Sequence, residues 1–338
     1  MLSKEIIKGI IVGIGIFISL IFILNTINTI LFVSKGYVVQ TIKSFEKQKE
    51  EIEILFSGPS DMQRAIMPNK FDKYRVFNFS PDAEDLTESY YKLKHYIKDM
   101  PNLKLIVLST PLALFSSRWH MSNNDKRSRI CKFYVYHYMT IQDVLELYKF
   151  EGIGVIKRKI FSLCPILFRP NMIRFWASMR RLVLHGSFFE RKVVDGWSVK
   201  NRHKISIFDT KRRVFHEFGN SNVFDETFLL YFGKILKLCK RNNIKVVTLM
   251  CPVTDRYIRY AAQYVTKELF YKKVIDNPKY SKYIYKHLDF LEIFSNNYDL
   301  FEDADHLNPK GAAIFSKLVS EELSKIMLEL YSQDKDHL

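Results

Sequence analysis

Two short segments of the sequence carry residue types that suit nucleophilic acyl chemistry. Gly58-Pro-Ser60 follows an apolar run, and Asp303-Ala-Asp-His306 stands shortly before the last helix start signal. A histidine three residues after an aspartate can donate its Nδ1–H to that carboxylate, which leaves Nε2 free to take a hydroxyl proton. Together the segments predict a Ser-His-Asp site in which Ser60 attacks an acyl group and His306 acts as the base.

Each segment alone also has a simpler explanation. Ser60 suits the N-cap of a helix, and average residue usage gives about one G-x-S triplet in a chain of this length. The acidic residues around His306 are compatible with a surface loop. They are also compatible with calcium, although the loop lacks the glycine and the distant glutamate of an EF-hand. It is the combination of the two segments in one chain that favours catalysis.

Hydrophobic patterns predict the elements that position these residues. They indicate strands at 53–57, 74–79, 104–109, 244–250 and 289–294, and helices at 84–98 and 222–241. This alternation is typical of an α/β fold with a parallel sheet, whose carboxyl edge gathers ligand-binding residues. Ser60 lies after the first strand. Asn308 and Pro309 predict the start of the last helix just after His306.

The chain between 112 and about 220 breaks this alternation and is rich in aromatic and basic residues. We interpret it as a large, partly helical insertion at the carboxyl edge of the sheet, with a structural turn at 195–197. Its basic clusters lie at 126–129, 157–159, 180–181, 202–204 and 211–213. The whole chain has 52 Lys and Arg against 36 Asp and Glu, a net charge of +16. This charge favours an anionic partner, such as nucleic acid, acidic lipid or an acidic polymer. It is also compatible with a solvated basic surface.

The amino terminus predicts a membrane anchor at residues 8–33. The run from Ile10 to Leu24 contains only apolar residues and glycines, and the segment is long enough to cross a bilayer. A cleaved signal peptide is the alternative, but no small-x-small site follows the run, so an uncleaved anchor is favoured. Residues 34–51 predict a polar juxtamembrane helix or stalk. Because lysines flank both ends of the anchor, charge alone leaves its orientation open.

The four cysteines give no sign of a metal site or a disulfide. No two of them form a C-x-x-C pair, and none has a histidine at ligand spacing. We therefore expect no zinc, no other metal and no cofactor. Cys239 and Cys251 lie in apolar stretches and are predicted to be buried thiols.

The order of the two reactive segments resembles that of the SGNH, or GDSL-like, hydrolase superfamily. Residues 54–61 are similar to the family's first block, which carries the nucleophilic serine. Residues 301–311 look like its final Asp-x-x-His block. The resemblance implies that Ser60, Asp303 and His306 form a catalytic triad.

The resemblance covers residues 52–111 and 240–330. It implies a three-layer, flavodoxin-like α/β domain with a parallel sheet at 52–332, which contains the unmatched insertion at about 112–220. One amino-terminal transmembrane helix precedes this domain. The chain is thereby expected to be a serine esterase or O-acyltransferase.

The resemblance also implies an oxyanion hole, built from the backbone N–H groups of Ser60 and Ser80. Family members commonly have glycine where this chain has Ser80, and Asn78 is retained as support for the region. The family's third block supplies an asparagine after the next strand. Here Ser109-Thr-Pro111 stands in its place.

An amino-terminal anchor on such a domain is similar to a subgroup that transfers acyl groups to cell-surface polymers. This subgroup includes the lipoteichoic-acid D-alanyl transfer protein and the alginate or capsule O-acetylation proteins. The similarity implies a single-pass protein of the cell membrane with its catalytic domain outside the cytoplasm. A cell-surface glycan or anionic polymer would be the acceptor. A multispanning membrane-bound O-acyltransferase would supply the acyl group, and the bilayer would be the partner of the amino-terminal helix.

Two other classes of function remain open from the sequence. One is a non-catalytic envelope protein that binds an anionic polymer or assists a membrane O-acyltransferase. The other is a nucleic-acid binder, which would need a cytoplasmic domain and lacks a recognised motif, so we expect no nucleic-acid partner. The sequence also leaves open the acyl group, the acceptor, hydrolysis versus transfer, and the oligomeric state.

Overall fold

The computed structural model describes residues 3–31, 33, 36–82, 84–117, 136, 138–167, 169–185, 193–198, 207–219 and 223–335. The predicted basic clusters at 126–129 and 202–204 lie outside the described residues, as does Cys131. Cys164, Cys239 and Cys251 are free thiols. The last two are buried, which confirms that prediction.

The chain forms two compact units. The first contains Met1–Gln40 and Met139–Arg191, and the second contains Thr41–Tyr138 and Lys192–Leu338. The insertion is therefore divided between the two units, because its central helices group with the amino-terminal helix. The second unit contains the sheet and both reactive segments.

The second unit is built on a five-stranded sheet, which confirms the α/β fold and the parallel sheet. The strands of the chain are β1 (Ile54–Ser57), β2 (Val76–Asn78), β3 (Leu105–Ser109), β4 (Val193–Val194), β5 (Trp197–Ser198), β6 (Lys245–Met250) and β7 (Lys286–Asp289). The sheet order is β2-β1-β3-β6-β7, with every neighbouring pair parallel. The order reverses at β1, so the carboxyl end of β1 is a topological switch point, where open α/β sheets bind ligands.

The central strands are apolar because both of their faces are covered. Every residue of β1 and β3 is buried, as expected for a parallel sheet. The strand predicted at 289–294 is misplaced, because residues 291–296 form turns and the strand is β7. This strand lies at the sheet edge and is partly exposed, and three of its four residues, Lys286, His287 and Asp289, are polar. After β7, the rings of the apolar residues Phe290 and Phe294 contact the ring of Phe315.

The described helices are divided between the two units. They are α1 (Lys4–Leu31), α2 (Tyr37–Gln48), α3 (Ser60–Ala65), α4 (Leu86–Tyr96), α5 (Ile141–Glu151), α6 (Gly154–Leu163), α7 (Arg169–His185), α8 (Ile207–Phe218), α9 (Glu226–Arg241), α10 (Asp255–Ala261), α11 (Lys267–Phe270), α12 (Pro278–Ser281) and α13 (Pro309–Lys335). The predicted helices at 84–98 and 222–241 correspond to α4 and α9. Asp85 and Asp225 cap these two helices with their carboxylates, which fixes where each begins.

The amino-terminal helix α1 is long and apolar enough to cross a membrane. Within the span from Lys4 to Ile30, an 18-residue window has a mean hydropathy of 2.7. The segment predicted as a juxtamembrane helix or stalk contains α2, and the part of α2 in the second unit is not a free stalk. Phe45 is fully buried and its ring contacts Phe77, Phe79 and Tyr96.

The turn between β4 and β5 protects the outer edge of the sheet. Asp195 and Gly196 have φ values of 45° and 88°, as in a two-residue hairpin turn. The carbonyl of Asp195 accepts a hydrogen bond from the N–H of Asn78 at 3.1 Å. A Cβ on Gly196 would lie 1.7 Å from the Asn78 oxygen, so only glycine fits there. The structural turn predicted at 195–197 is thus confirmed, and it covers the free edge of β2.

A buried ion pair, which we call the sheet cluster, lies behind β1 and β2. Lys92 donates to both carboxylate oxygens of Glu84 at 2.7 Å and also to the carbonyl of Phe79. The hydroxyls of Ser57 and Ser89 donate to the same carboxylate. Burial raises the pKa of Glu84 and lowers the pKa of Lys92, although each charged group favours the ionised form of the other. Among the described residues, the partners of this ion pair are the Ser57 and Ser89 hydroxyls and the Phe79 carbonyl, so the cluster is closed on itself.

Candidate active site

Ser60 is exposed at the carboxyl edge of the sheet by a tight turn after β1. A Cβ on Gly58 would lie 2.4 Å from the Cβ of Ser109, so glycine lets the turn pass close against β3. Pro59 is the N-cap of α3 and Ser60 is its first helical residue, so the interpretation of Ser60 as an N-cap is wrong. The Ser60 side chain is therefore available for another contact.

The structure brings Ser60, His306 and Asp303 together. The Oγ of Ser60 lies 2.8 Å from the Nε2 of His306, although 246 residues separate them in the chain. The Nδ1 of His306 lies 2.7 Å from Oδ1 of Asp303. Both distances are within hydrogen-bond reach for a nucleophile, a base and a group that orients the base. The site is thus assembled without any rearrangement.

The loop that carries His306 is fixed by its own backbone. The N–H of Glu302 donates to the carbonyl of His306 at 2.9 Å. At the end of the loop, Asn308 donates through its amide to the carbonyl of Asp299 at 2.7 Å. The side-chain oxygen of Asn308 accepts from the N–H of Gly311 at 3.0 Å, so the predicted N-cap of the last helix is confirmed. These bonds hold the imidazole in place from both sides.

Charges around His306 favour its protonated form. Burial alone would lower the pKa of His306, but Asp303 and Asp305 raise it above its ordinary value. Burial would likewise raise the pKa of Asp303, yet the cations at His306, Arg213 and Arg64 hold that pKa well below its usual range. The carboxylate therefore stays ionised and stabilises the imidazolium that forms when a hydroxyl proton is taken.

A group of charged residues next to His306, which we call the site cluster, contains Asp303, Asp305, Arg213 and Glu217. Arg213 lies in α8 and its Nη2 donates to Oδ2 of Asp305 at 2.7 Å. Its Nε lies 2.7 Å from Oε1 of Glu217, one helical turn further on. The other oxygen of Asp305 is 3.6 Å from Nδ1 of His306. The cluster thus links a helix of the insertion to the imidazole.

The sequence contains only partial signals for this cluster. Arg213 belongs to the basic cluster predicted at 211–213, and its spacing to Glu217 is that of a helical ion pair. Nothing in the sequence indicates that Arg213 reaches Asp305. Burial raises the pKa of Glu217 to about 7 despite the opposing effect of Arg213. The hydroxyl of Tyr257, in α10, donates to the second oxygen of Glu217.

A small cleft lies beside Ser60. Its polar lining includes Asp61, Arg213 and Glu217, and its walls are mostly apolar: Pro111, Leu112, Ala113, Val253 and Leu291. Small-ligand sites commonly have this composition, with a few polar groups set in apolar walls. The Ser60 hydroxyl is therefore beside apolar walls, which suit contact with an acyl chain.

Asp61 forms part of the cleft lining and was not identified from the sequence. Its Oδ2 accepts from the hydroxyl of Ser109 at 2.6 Å. Its Oδ1 has no hydrogen-bond partner in the described part of the chain. Burial raises the pKa of Asp61, and burial together with this carboxylate raises the pKa of Cys251. The thiol is therefore held in its neutral form, which is unreactive.

Two N–H groups at the start of α3 are available to bind an oxyanion. Among the described residues, neither the N–H of Ser60 nor that of Asp61 donates a hydrogen bond. The first N–H groups of a helix have no partner within it and favour negative charge. The expected N–H of Ser60 is thus joined by that of Asp61, the next residue.

The other two residues expected near the oxyanion lie away from the cleft surface. Ser80 is only 1% exposed and is not among the described residues that line the cleft, so its contribution stays a prediction. The amide of Asn78 donates to the carbonyls of Met62 and Ile66 at 3.0 and 2.9 Å. Asn78 therefore supports the helix that carries Ser60 and has no amide hydrogen left for an oxyanion.

Ligand atoms of Asp303, Asp305 and His306 lie within 4.8 Å of one another, a spacing that could hold a cation. His306 and Arg213 already pair with these two carboxylates. The expectation that the chain uses no metal stays a prediction.

No model of a known protein family matches this chain, and no curated protein matches it significantly. The residues of the site are therefore the basis for a proposed function.

Proposed function

We propose that the chain is a membrane-anchored Ser-His-Asp esterase or O-acyltransferase of the SGNH type. The observation that carries this proposal is the line of contacts from Ser60 through His306 to Asp303, at 2.8 and 2.7 Å. A raised pKa at His306 and a lowered pKa at Asp303 support it, because these shifts suit a base and its orienting carboxylate.

In the first half of the proposed reaction, the Oγ of Ser60 attacks the carbonyl carbon of an acyl ester. Its proton passes to Nε2 of His306, while Asp303 holds the Nδ1–H. The tetrahedral oxyanion accepts from the N–H groups of Ser60 and Asp61, with the N–H of Ser80 as a further expected donor. Collapse breaks the ester bond, and the proton on Nε2 passes to the leaving oxygen.

In the second half, an acceptor hydroxyl gives its proton to Nε2 of His306 and attacks the acyl group on Ser60. The bond to Ser60 breaks, and Nε2 returns the proton to the serine oxygen. Water as acceptor makes the chain an esterase, and a glycan hydroxyl makes it an O-acyltransferase. Ser60 and His306 have the same roles in both reactions.

The proposed setting is the outer face of the cell membrane. The length and hydropathy of α1 support a single-pass anchor. We place the catalytic domain outside the cytoplasm, where a cell-surface glycan or anionic polymer is the acceptor. A multispanning membrane-bound O-acyltransferase would supply the acyl group. The net charge of +16 suits an anionic acceptor.

The proposal is tested by replacing the nucleophile in the full chain. Ser60→Ala should lower turnover of an acyl-ester probe by about 10³-fold or more and abolish covalent labelling by a fluorophosphonate. Ser332→Ala, which changes an exposed serine of α13, is the matched control and should retain both activities. Turnover that survives Ser60→Ala would show that another group performs the chemistry.

A second candidate is a non-catalytic protein that binds an anionic polymer, which the net charge of +16 favours. The two candidates differ in whether Ser60 reacts. A native chain that binds an anionic polysaccharide but is never labelled at Ser60 would support this second function and contradict the first.

A further inference from the structure

The helices α5, α6 and α7 expose apolar residues that a water-soluble surface does not need. On α5 these are Ile141, Leu145 and Tyr148, which share one side of the helix because they are four and three residues apart. Other residues of these helices are buried: Leu147 and Val155 are fully inaccessible. The exposed apolar residues are therefore additional to the core.

The same arrangement continues along the two following helices. On α6, Ile160 and Leu163 are exposed three residues apart, and Leu163 is 60% exposed; Leu167, in the short 3-10 turn Pro165–Leu167 that follows, is also exposed. On α7, Trp176 and Leu184 are 62% and 61% exposed, two helical turns apart. Single exposed apolar residues are ordinary, but sets that recur at helical spacing on consecutive helices mark an interaction surface.

This surface is continuous with the apolar helix α1, which belongs to the same unit. The N–H of Ile166 donates to the side-chain oxygen of Asn25 at 3.2 Å, and Asn28 is 2% exposed. A bilayer core is spanned by about 20 helical residues, so a span that begins near Ile10 ends near these two asparagines. The exposed Leu163 and Leu167 therefore lie beside the end of α1, at the level of a bilayer boundary.

The charge of this segment suits anionic lipid headgroups. From residue 141 to residue 185 the sequence contains eight Lys or Arg and three Asp or Glu. Lys157 and Arg180 are exposed. Basic helices that also expose leucine and tryptophan typically lie in the membrane interface, where lysine and arginine meet phosphates and tryptophan sits at headgroup level.

We propose that α5, α6 and α7 lie on the bilayer beside α1, with their exposed apolar residues in the boundary between headgroups and acyl chains. The partner is a membrane surface that contains anionic lipid. This inference rests on the proposed anchoring by α1, and it is independent of the chemistry at Ser60. It gives the middle of the insertion a function, because these helices hold the chain to the membrane at more than one point.

The test uses the full chain in liposomes of phosphatidylcholine and phosphatidylglycerol. Cys131→Ser and Cys164→Ser provide the background, since Cys239 and Cys251 are buried. A single cysteine is then introduced by Leu163→Cys or Leu184→Cys and carries an environment-sensitive fluorophore. Nitroxide lipids with a shallow label act as the quencher.

Two further labelled variants serve as references. Leu328→Cys is the matched control, because Leu328 is 63% exposed on α13 in the other unit. Ile16→Cys reports whether α1 itself is in the bilayer. The labels at 163 and 184 should be quenched several-fold more than the label at 328, and omission of phosphatidylglycerol should reduce their quenching.

The proposal is overturned if the labels at 163 and 184 are quenched no more than the label at 328 while Ile16→Cys is quenched. The labels could also escape quenching by lipid nitroxide in liposomes and yet be protected from iodide, a quencher in water, in native membranes. That result would show that a protein covers the surface, and it would also overturn the proposal. A label at 16 that is not quenched would show that the anchoring itself fails. Turnover of the acyl-ester probe, measured on the same samples, separates these outcomes from failure of the catalytic proposal.

Discussion

The sheet cluster and the site cluster, both in the described part of the second unit, differ in what their charges face. In the sheet cluster, Lys92 and Glu84 are 3% and 1% exposed, and their remaining hydrogen bonds go to hydroxyls and a carbonyl. In the site cluster, the side chains of Asp303 and Arg213 are 43% and 38% exposed. The sheet cluster is closed, whereas the site cluster opens toward the cleft.

The difference shows how one kind of interaction serves two purposes. A closed ion pair costs desolvation free energy and fixes the positions of the elements that it joins. In the site cluster, two carboxylates approach the same imidazole and both raise the pKa of His306. The closed cluster should therefore matter for folding and the open cluster for the reaction. Changes in each cluster test this division.

The largest effect is expected for Asp303→Asn. Loss of the carboxylate removes the group that orients His306 and stabilises the imidazolium, so kcat should fall on the order of 10⁴-fold. Because the fold lowers the pKa of Asp303, ionised Asp303 stabilises the native state above its ordinary pKa, and this stabilisation is lost as the pH falls. A modest fall in the Tm of the variant near neutral pH is therefore also expected.

Kinetics with an acyl-ester probe and thermal unfolding at neutral pH measure the two effects. An Asp303→Asn variant that unfolds at a much lower temperature but keeps its kcat would reverse the roles assigned to the site cluster.

The next effect is expected for Lys92→Met in the sheet cluster. The substitution leaves Glu84 buried without its cation, which destabilises the fold by about 3–5 kcal/mol. Urea denaturation should show a lower midpoint, while the folded fraction keeps its kcat. The double variant with Glu84→Gln should recover much of the loss, since the glutamine oxygen can still accept from Ser57 and Ser89.

Lys325→Met is the matched control, because Lys325 forms an exposed ion pair with Glu322 and its loss should leave the urea midpoint unchanged. A Lys92→Met variant as stable as this control would remove the distinction between closed and exposed ion pairs.

The smallest effect is a shift of the pH profile by Asp305→Asn. The base His306 must be neutral, so kcat/KM rises as the pH rises through the pKa of His306. Asp305 contributes to the raised pKa, so its removal should move this rise to lower pH. The profile of kcat/KM across neutral pH measures the shift.

Arg213→Met should move the rising limb of the kcat/KM profile to higher pH, because it leaves the charge of Asp305 uncompensated beside His306. Two variants that shift the limb in the same direction would contradict this account. Asp99→Asn changes an exposed carboxylate and should leave the profile in place.

Residue types and spacing pointed to Ser60, Asp303 and His306, the resemblance to a known family supported them, and the structure brings them together. Strands and helices were predicted where their periodicity was clean, as for α9 and β6. The edge strand β7 was misplaced because apolar residues also occur in turns that pack against α13. The roles of Asp61 and Arg213 were missed, and Asn78, predicted as support for the oxyanion region, instead holds the helix of Ser60, since each role depends on contacts with residues distant in the chain.

The sequence by itself determined the local features: a glycine turn before Ser60, an Asp-x-x-His loop before a capped helix, and an apolar amino-terminal helix. Each of these arises from neighbouring residues, whose spacing fixes backbone conformation and hydrogen bonding. Only the tertiary structure decided that Ser60 lies 2.8 Å from His306. The reason is that parallel strand pairing and helix packing, which join segments far apart in the chain, set that distance and the charges around it.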